Sequence, residues 1–225
     1  MSGNSNTQEL RIGLIGSKGR MGNAIASLRF PFIRIGAFFT RENPPDPEAD
    51  VDLFLDVSSA AALKDHLQTA LLANKPIVVG TTGLVDFENL KEASKAIPVF
   101  YSANFSLGMA LMRKAAEEFA RRFHKTASIE IIETHHVHKK DAPSGAALML
   151  AKTIEKNHPS KPEIQSIRLG QTVGKHELYF SSSEETLTLI HTAQSRDAFA
   201  RGAFEAARFL AHQSPGFYTM DDLIQ

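Results

Sequence analysis

Short apolar runs that end on glycine or small polar residues alternate with helix-spaced segments through the first hundred residues, and this alternation leaves few folds open. The runs are RIGLIG (Arg11 to Gly16), FIRIGAFF (Phe32 to Phe39), VDLFLDV (Val51 to Val57), PIVVG (Pro76 to Gly80) and PVFYSA from Pro98. Between them lie RMGNAIASLRF, with Met21, Ala24, Ile25 and Leu28 at helical spacing, then AALKDHLQTALLAN and FENLKEASKA. The loop RENPPDPEAD holds Pro44, Pro45 and Pro47 and breaks both kinds of element. Strands that are apolar on both faces and separated by helices predict a parallel sheet covered on both sides.

After about Asn104 the rhythm changes. Asn104 or Ser106 can cap a long helix, LGMALMRKAAEEFARRF. ASIEIIETHH reads as a strand and SGAALMLAKTIEKN as a helix. Three strand-like runs then follow without helices between them: EIQSIRLG, KHELYFSS and ETLTLIHTA. RDAFARGAFEAARFLAHQ is a last helix that can return to the first domain. The expected class is α/β, with a Rossmann-like parallel-sheet domain over 1–105, rejoined by about 203–225. A smaller α+β domain over 106–202 carries an open mixed sheet.

Composition narrows the function. Lys plus Arg balances Asp plus Glu at 25 each, so no global field draws nucleic acid or anionic lipid. No run of about 18 apolar residues exists to span a membrane. MSGNSNTQEL lacks the basic and apolar regions of a signal peptide. The absence of cysteine excludes thiolate chemistry and suits the cytoplasm.

GSKGRMG (Gly16 to Gly22) sits where the first strand becomes the first helix. Free N–H groups and the positive dipole end there suit a pyrophosphate. Gly16 permits the tight turn, and Gly19 or Gly22 a close backbone approach, although Lys18 stands where G-x-G-x-x-G has its second glycine. The plain alternative is a simple turn. At the end of the second strand, where an acid would bind the ribose of NAD, the chain has Thr40 and Arg41; Arg41 is a donor for a 2′-phosphate and favours NADPH over NADH. VVGTTG (Val78 to Gly83) and SANFS (Ser102 to Ser106) follow the fourth and fifth strands, where ligands of such folds bind.

HHVHKKDAPSG (His135 to Gly145) is the densest cluster of chemistry. A metal site needs ligands that converge. In a continuing strand His136 and His138 would share a face while His135 points away, and neither an H-E-x-x-H spacing nor a cysteine helps. A solvated basic loop suits His138 and Lys140. A catalytic loop needs a proton donor near neutral pH and a fixed cation, which histidine and lysine supply. Asp141 or Ser144 can cap the next helix with Pro143 in its first turn, leaving the N–H groups of Gly145 and Ala146 as an anion site.

GSKGRMG, VVGTTG, SANFSLGM, ETHHVHKKDAPSGAAL, RLGQTVGKHELYF and SRDAFARGAFEAARFL occur in this order, and together they resemble the dihydrodipicolinate reductase (4-hydroxy-tetrahydrodipicolinate reductase) family nearly end to end. The resemblance implies hydride transfer from NADPH or NADH to a cyclic dicarboxylate in the diaminopimelate route to lysine, with proton transfer and loss of a hydroxyl as water. It implies a homotetramer built through the second domain. It casts His135 as proton donor and acceptor, Lys139 as proton donor and substrate contact, and His136 as a further contact. Ser144, Gly145 and Ala146 then bind a substrate carboxylate. Gly16, Ser17, Lys18, Gly19, Arg20, Met21, Arg41, Gly80, Thr81, Thr82, Ser102, Ala103, Asn104 and Phe105 match the cofactor-binding segments. Three departures stand out: Lys18 replaces a glycine, Ala146 stands where threonine is usual, and the stretch from Arg41 to Val51 is short. The rivals are another two-domain dehydrogenase, for which the histidine–lysine block needs a different role, and a non-catalytic dinucleotide sensor, for which it needs none.

Overall fold

The first sheet of the computed structural model, which describes residues 9–83 and 87–225, is built from strands that differ in burial according to place. β1 (Leu10–Ile15), β3 (Leu53–Asp56), β4 (Ile77–Val79) and β5 (Pro98–Tyr101) are buried along most or all of their length. β2 (Ile33–Phe39) alternates between buried and exposed positions, as an edge strand does. β10 (Gly216–Tyr218) closes the other edge. The order is β10-β5-β4-β3-β1-β2, with every pairing parallel. The connections α1 (Arg20–Ser27), α2 (Leu63–Ala73) and α3 (Glu88–Ser94) are the helices expected between these strands. Asn74, in the left-handed region at φ 51°, ends α2 just before Pro76. The core includes Ile15, Phe39, Phe54, Leu67, Ile77, Leu90 and Val99.

The described residues up to Phe105 form one unit with Phe199–Gln225. The return runs through most of α6 (Asp197–Leu210), then β10 and α7 (Met220–Leu223). A Cβ at Gly202 would run into the carbonyl of Phe105, so α6 lies directly on that backbone. β10 and α7 were not anticipated; three and four residues are too short to display a period. The segment read for a leader lies mostly outside the described residues.

The second unit is Ser106–Ala198. α4 (Leu107–Arg122) and α5 (Gly145–Glu155) cover one face of a sheet of β6 (Ser128–His135), β7 (Glu163–Arg168), β8 (Gly174–Ser181) and β9 (Thr186–Ala193). Its order is β7-β6-β8-β9; β6 and β7 are parallel and the other pairs antiparallel, so the sheet is mixed. β8 alternates strictly, with His176, Leu178 and Phe180 buried under the helices. No helix among the described residues packs on the opposite face, where Ile167 and Ile190 lie exposed. No helix among the described residues is long and apolar enough to cross a membrane.

Candidate functional site

Register decides what the covered face of the second sheet carries. Toward one end it is apolar: Ile129, Ile131, Ile164, Leu178, Phe180, Leu187 and Leu189 pack against α4 and α5. Toward the other end the same face turns polar. Glu133 stands beside Ser166 and His176, and His176 beside His191. One step further along, His135 pairs with Arg168. All five of these charged or titratable strand residues, Arg168 included, stand at positions that a two-residue period assigns to the covered face.

This polar end meets the starts of the two helices. Ser106 caps α4, its Oγ accepting from the Met109 N–H, and contacts His191 Nε2 at 3.1 Å. Ser144 caps α5, its Oγ accepting from the Ala147 N–H, and contacts His176 Nε2 at 3.2 Å. Of the two caps offered by the sequence, Ser144 is the one used. Pro143 precedes the cap and is not in the first turn, because helical dihedrals begin only at Gly145. The N–H groups of Gly145 and Ala146 have no intrahelical acceptor, and a Cβ at Gly145 would meet nothing within 4 Å.

Glu133 is fully buried. It accepts hydrogen bonds from His135 Nδ1, from Arg168 Nη2 at 3.0 Å and from the Ser144 N–H at 3.3 Å. Burial raises its pKa, but Arg168, Ser166 and His135 together hold it below the usual carboxylate value. His135 moves down from its ordinary value, because burial and the cations Lys139 and Arg168 outweigh Glu133. A Cβ at Gly174 would lie 3.1 Å from His135 Nε2, so glycine leaves that ring edge uncrowded. His176, whose ring centroid is 5.2 Å from that of His135, is lowered to about 4, chiefly by burial. Lys139 pairs with Asp141 at 2.7 Å, and Arg168 donates to the Asp141 carbonyl. His136 is half-buried, with Nδ1 lacking a partner among the described residues. His138 and Lys140 are exposed, as a solvated loop requires. His135 is committed to Glu133, and no cluster of three metal-ligating side chains exists among the described residues.

The first unit holds the other residues. Gly16 has φ 82°, and a Cβ there would lie 2.8 Å from the Cα of Ser58. A Cβ at Gly22 would lie 2.8 Å from the Ser17 Cα and clash with the Gly16 carbonyl, so of the two later glycines Gly22 makes the closest approach. Gly19 is the N-cap of α1 and has no side chain to occupy the first turn, leaving the N–H groups of Arg20 and Met21 without intrahelical acceptors. The Ser17 hydroxyl donates to the Phe39 carbonyl at 3.1 Å. Lys18 pairs with Glu42 at 3.3 Å, and Glu42 also accepts from Thr40 at 2.9 Å. Beside the turn lies a cavity of about 550 Å³, lined by Gly16, Thr40, Arg41, Ser58, Ser59 and His66 among others. Buried Asp56 holds its wall, accepting from the Ser58 N–H at 2.9 Å and meeting His66 Nδ1 at 2.8 Å.

At the ends of β4 and β5, a Cβ at Gly80 would clash with the Phe105 ring. Thr82 and Ala103 are exposed. Ser102 and Asn104 form a closed turn, the Ser102 hydroxyl donating to the Asn104 carbonyl at 2.7 Å. Thr81 is buried, and its hydroxyl has no partner among the described residues. An open helix start, glycines that admit no Cβ, a cavity beside Arg41 and an unpaired hydroxyl fit a dinucleotide.

Sequence reasoning missed Glu133, Arg168, His176, His191 and Asp56. Glu133 and His135 differ by two residues and so share a strand face, which was available as a signal. The remainder depend on strand register.

Two family models divide the chain between them: "Dihydrodipicolinate reductase, N-terminus" matches residues 32–105 and "Dihydrodipicolinate reductase, C-terminus" residues 108–224. A protein of Bdellovibrio bacteriovorus named 4-hydroxy-tetrahydrodipicolinate reductase is 41% identical, over 96% of this chain and 97% of its own length. One of the same name from Zymomonas mobilis is 39% identical, over 96% and 97%. The solved structure of a dipicolinate-bound dihydrodipicolinate reductase from Paenisporosarcina sp. TG-14 has a TM-score of 0.78 at 23% identity, covering 94% of this chain and 98% of that one.

The histidine row makes stability sensitive to acid. The folded state keeps His176 neutral down to about pH 4, whereas the unfolded chain protonates it near 6.5. Its contribution is therefore complete above pH 6.5 and falls as pH drops from 6.5 toward 4, by on the order of 3 kcal/mol. Urea unfolding across that range is expected to show this slope, and His176→Gln to flatten it; an equal slope in both proteins would contradict the assignment.

Proposed function

The chain belongs to the dihydrodipicolinate reductase family, and from that membership we propose that it reduces 4-hydroxy-tetrahydrodipicolinate to tetrahydrodipicolinate, with NADPH preferred over NADH, in the diaminopimelate route to lysine. The observation that carries this reading is the polar end of the second unit. There a buried histidine whose Nε2 edge faces Gly174 lies in a network with the start of α5, where the Gly145 and Ala146 N–H groups have no intrahelical acceptor. Oriented backbone donors and a dipole end suit a carboxylate, and Lys139 in the preceding loop adds a full positive charge.

The residues around the turn from Gly16 to Gly22 would hold a nicotinamide cofactor, which when bound would supply a hydride. The chain's own residues handle the rest. The Gly145 and Ala146 N–H groups and Lys139 hold one carboxylate of the ring, with His136 as a further contact. Ala146 supplies its N–H without the hydroxyl of threonine. The hydroxyl of the substrate departs as water and so needs a proton, which His135 Nε2 or Lys139 can give. Arg41, beside the cavity, is the donor for a 2′-phosphate. Gly16 to Met21, Gly80 to Thr82 and Ser102 to Phe105 line the remainder of the dinucleotide. The cysteine-free composition suits a cytoplasmic setting.

The test is NADPH oxidation with substrate generated from pyruvate and aspartate semialdehyde. His135→Gln and Lys139→Ala are each expected to lower kcat by about 10²–10⁴-fold. Pyridine-2,6-dicarboxylate is expected to compete with substrate and not with NADPH, and Lys139→Ala to weaken that inhibition. Wild-type turnover in both variants, or competition with NADPH, would remove the reading.

Arg41→Ala is expected to raise KM for NADPH more than for NADH. An equal change for both would withdraw the 2′-phosphate role.

The second unit's uncovered face, with Ile167 and Ile190 exposed, supports a homotetramer. Light scattering at micromolar concentration is expected to give four times the monomer mass; monomer alone would contradict it.

A further inference from the structure

The chemistry above leaves one buried carboxylate without a task. Glu133 has no solvent exposure, and a charge so placed is costly unless it is paired and hydrogen-bonded. Its partners come from three different places: His135 on its own strand, Arg168 at the end of β7, and the Ser144 N–H at the start of α5. One oxygen faces the histidine and the other faces the arginine and the helix start. A simple ion pair with Arg168 would need neither of the other two contacts. We propose that Glu133 is the positioning residue of the reaction: it holds His135 through Nδ1, so that Nε2 is the atom that exchanges the proton, and it fixes the same ring relative to the residue from which the carboxylate-binding turn begins.

This rests on the reading of His135 as the proton-exchanging group and adds what makes that group competent. A carboxylate on Nδ1 keeps a proton there in the neutral ring and leaves the lone pair on Nε2. Gly174 leaves the Nε2 edge free of a side chain. The charges around the ring also call for an anion. Arg168 on β7 and Lys139 on the loop are cations that oppose protonation of His135. His176 on β8 is neutral at working pH, and His191 on β9 is likewise lowered by burial. Asp141 is taken up by Lys139. Among these neighbours Glu133 alone favours the imidazolium directly.

Glu133→Gln keeps the shape and removes the charge. Its kcat is expected to fall on the order of 10²-fold. KM for the dicarboxylate and inhibition by pyridine-2,6-dicarboxylate should stay close to native, because the glutamine oxygen can still accept from Ser144. The alkaline limb of the pH–rate profile should move to lower pH by about one unit or more, since the protonated ring has lost its counter-charge. In a His135→Gln background the same change should add little further loss. A second measurement does not depend on Glu133→Gln: the ring nitrogens of His135 in the native protein, observed by NMR and assigned with His135→Gln, should show the neutral ring protonated at Nδ1. If His135→Gln keeps native turnover, the underlying reading of His135 fails. If His135→Gln loses turnover while Glu133→Gln keeps the native kcat and alkaline limb, or if the neutral ring carries its proton on Nε2, the positioning role is wrong and the reading of His135 stands.

Discussion

A carboxylate sealed from water must be compensated where it lies, and in the second unit this requirement ties four segments to one point. Glu133 sits in β6, and its donors arrive from β6, β7 and the start of α5, while Arg168 reaches on to the Asp141 carbonyl in the loop before α5. Each tie has a reason of its own. Arg168 supplies the charge, the Ser144 N–H is a helix-start donor that needs an acceptor, and His135 is a ring whose other face must stay available. The segment from β6 to α5 is rich in charge and carries little apolar content, so packing alone would not order it. The buried charge does.

The nucleotide-binding unit solves a different problem with backbone in place of charge. The turn from β1 to α1 has to bring a helix start close to a ligand, and side chains are in the way. Gly16 and Gly22 each lie where a Cβ would strike neighbouring backbone, and Ser58, held by buried Asp56, forms the opposite wall. Lys18, the departure from the usual glycine pattern, pairs with Glu42, the residue after cavity-lining Arg41, and the turn keeps its Gly19 N–H to Gly16 carbonyl hydrogen bond. An exposed pair of this kind contributes little to stability. Its effect is to keep one positive and one negative side chain together near Arg41.

How much could be read without coordinates differs between the two units for a physical reason. β1, β3, β4 and β5 are buried on both faces, so they appear as continuous apolar runs, and the α/β architecture follows from them directly. The block from His135 to Gly145 was legible because its chemistry is contiguous. Ser144 was one of two candidate caps, and its extended backbone and the Ala147 N–H bond to its hydroxyl distinguish it from Asp141. Arg168, His176 and His191 were illegible because nothing in EIQSIR, KHELYF or TLTLIHTA states which residue will lie opposite which. A two-residue period gives the face of a strand but not its offset from the next strand, and the polar row exists only at one offset.

The two serine caps carry a consequence for how that offset is chosen while the chain folds. Ser106 meets His191 of β9 and Ser144 meets His176 of β8, and these histidines are register partners. A slip of two residues keeps every side chain on its proper face, so hydrophobic burial alone penalises it weakly. Such a slip of β9 would set Leu189 or Ala193 where His191 belongs, and neither can answer the Ser106 hydroxyl. The Ser106 hydroxyl would keep the Met109 N–H but lose the ring nitrogen, and losing one such hydrogen bond costs about 0.5–1.5 kcal/mol. The helix starts thus act as a gauge against which the strands are measured, and a misaligned sheet is disfavoured at its polar end even where its apolar end would accept the error.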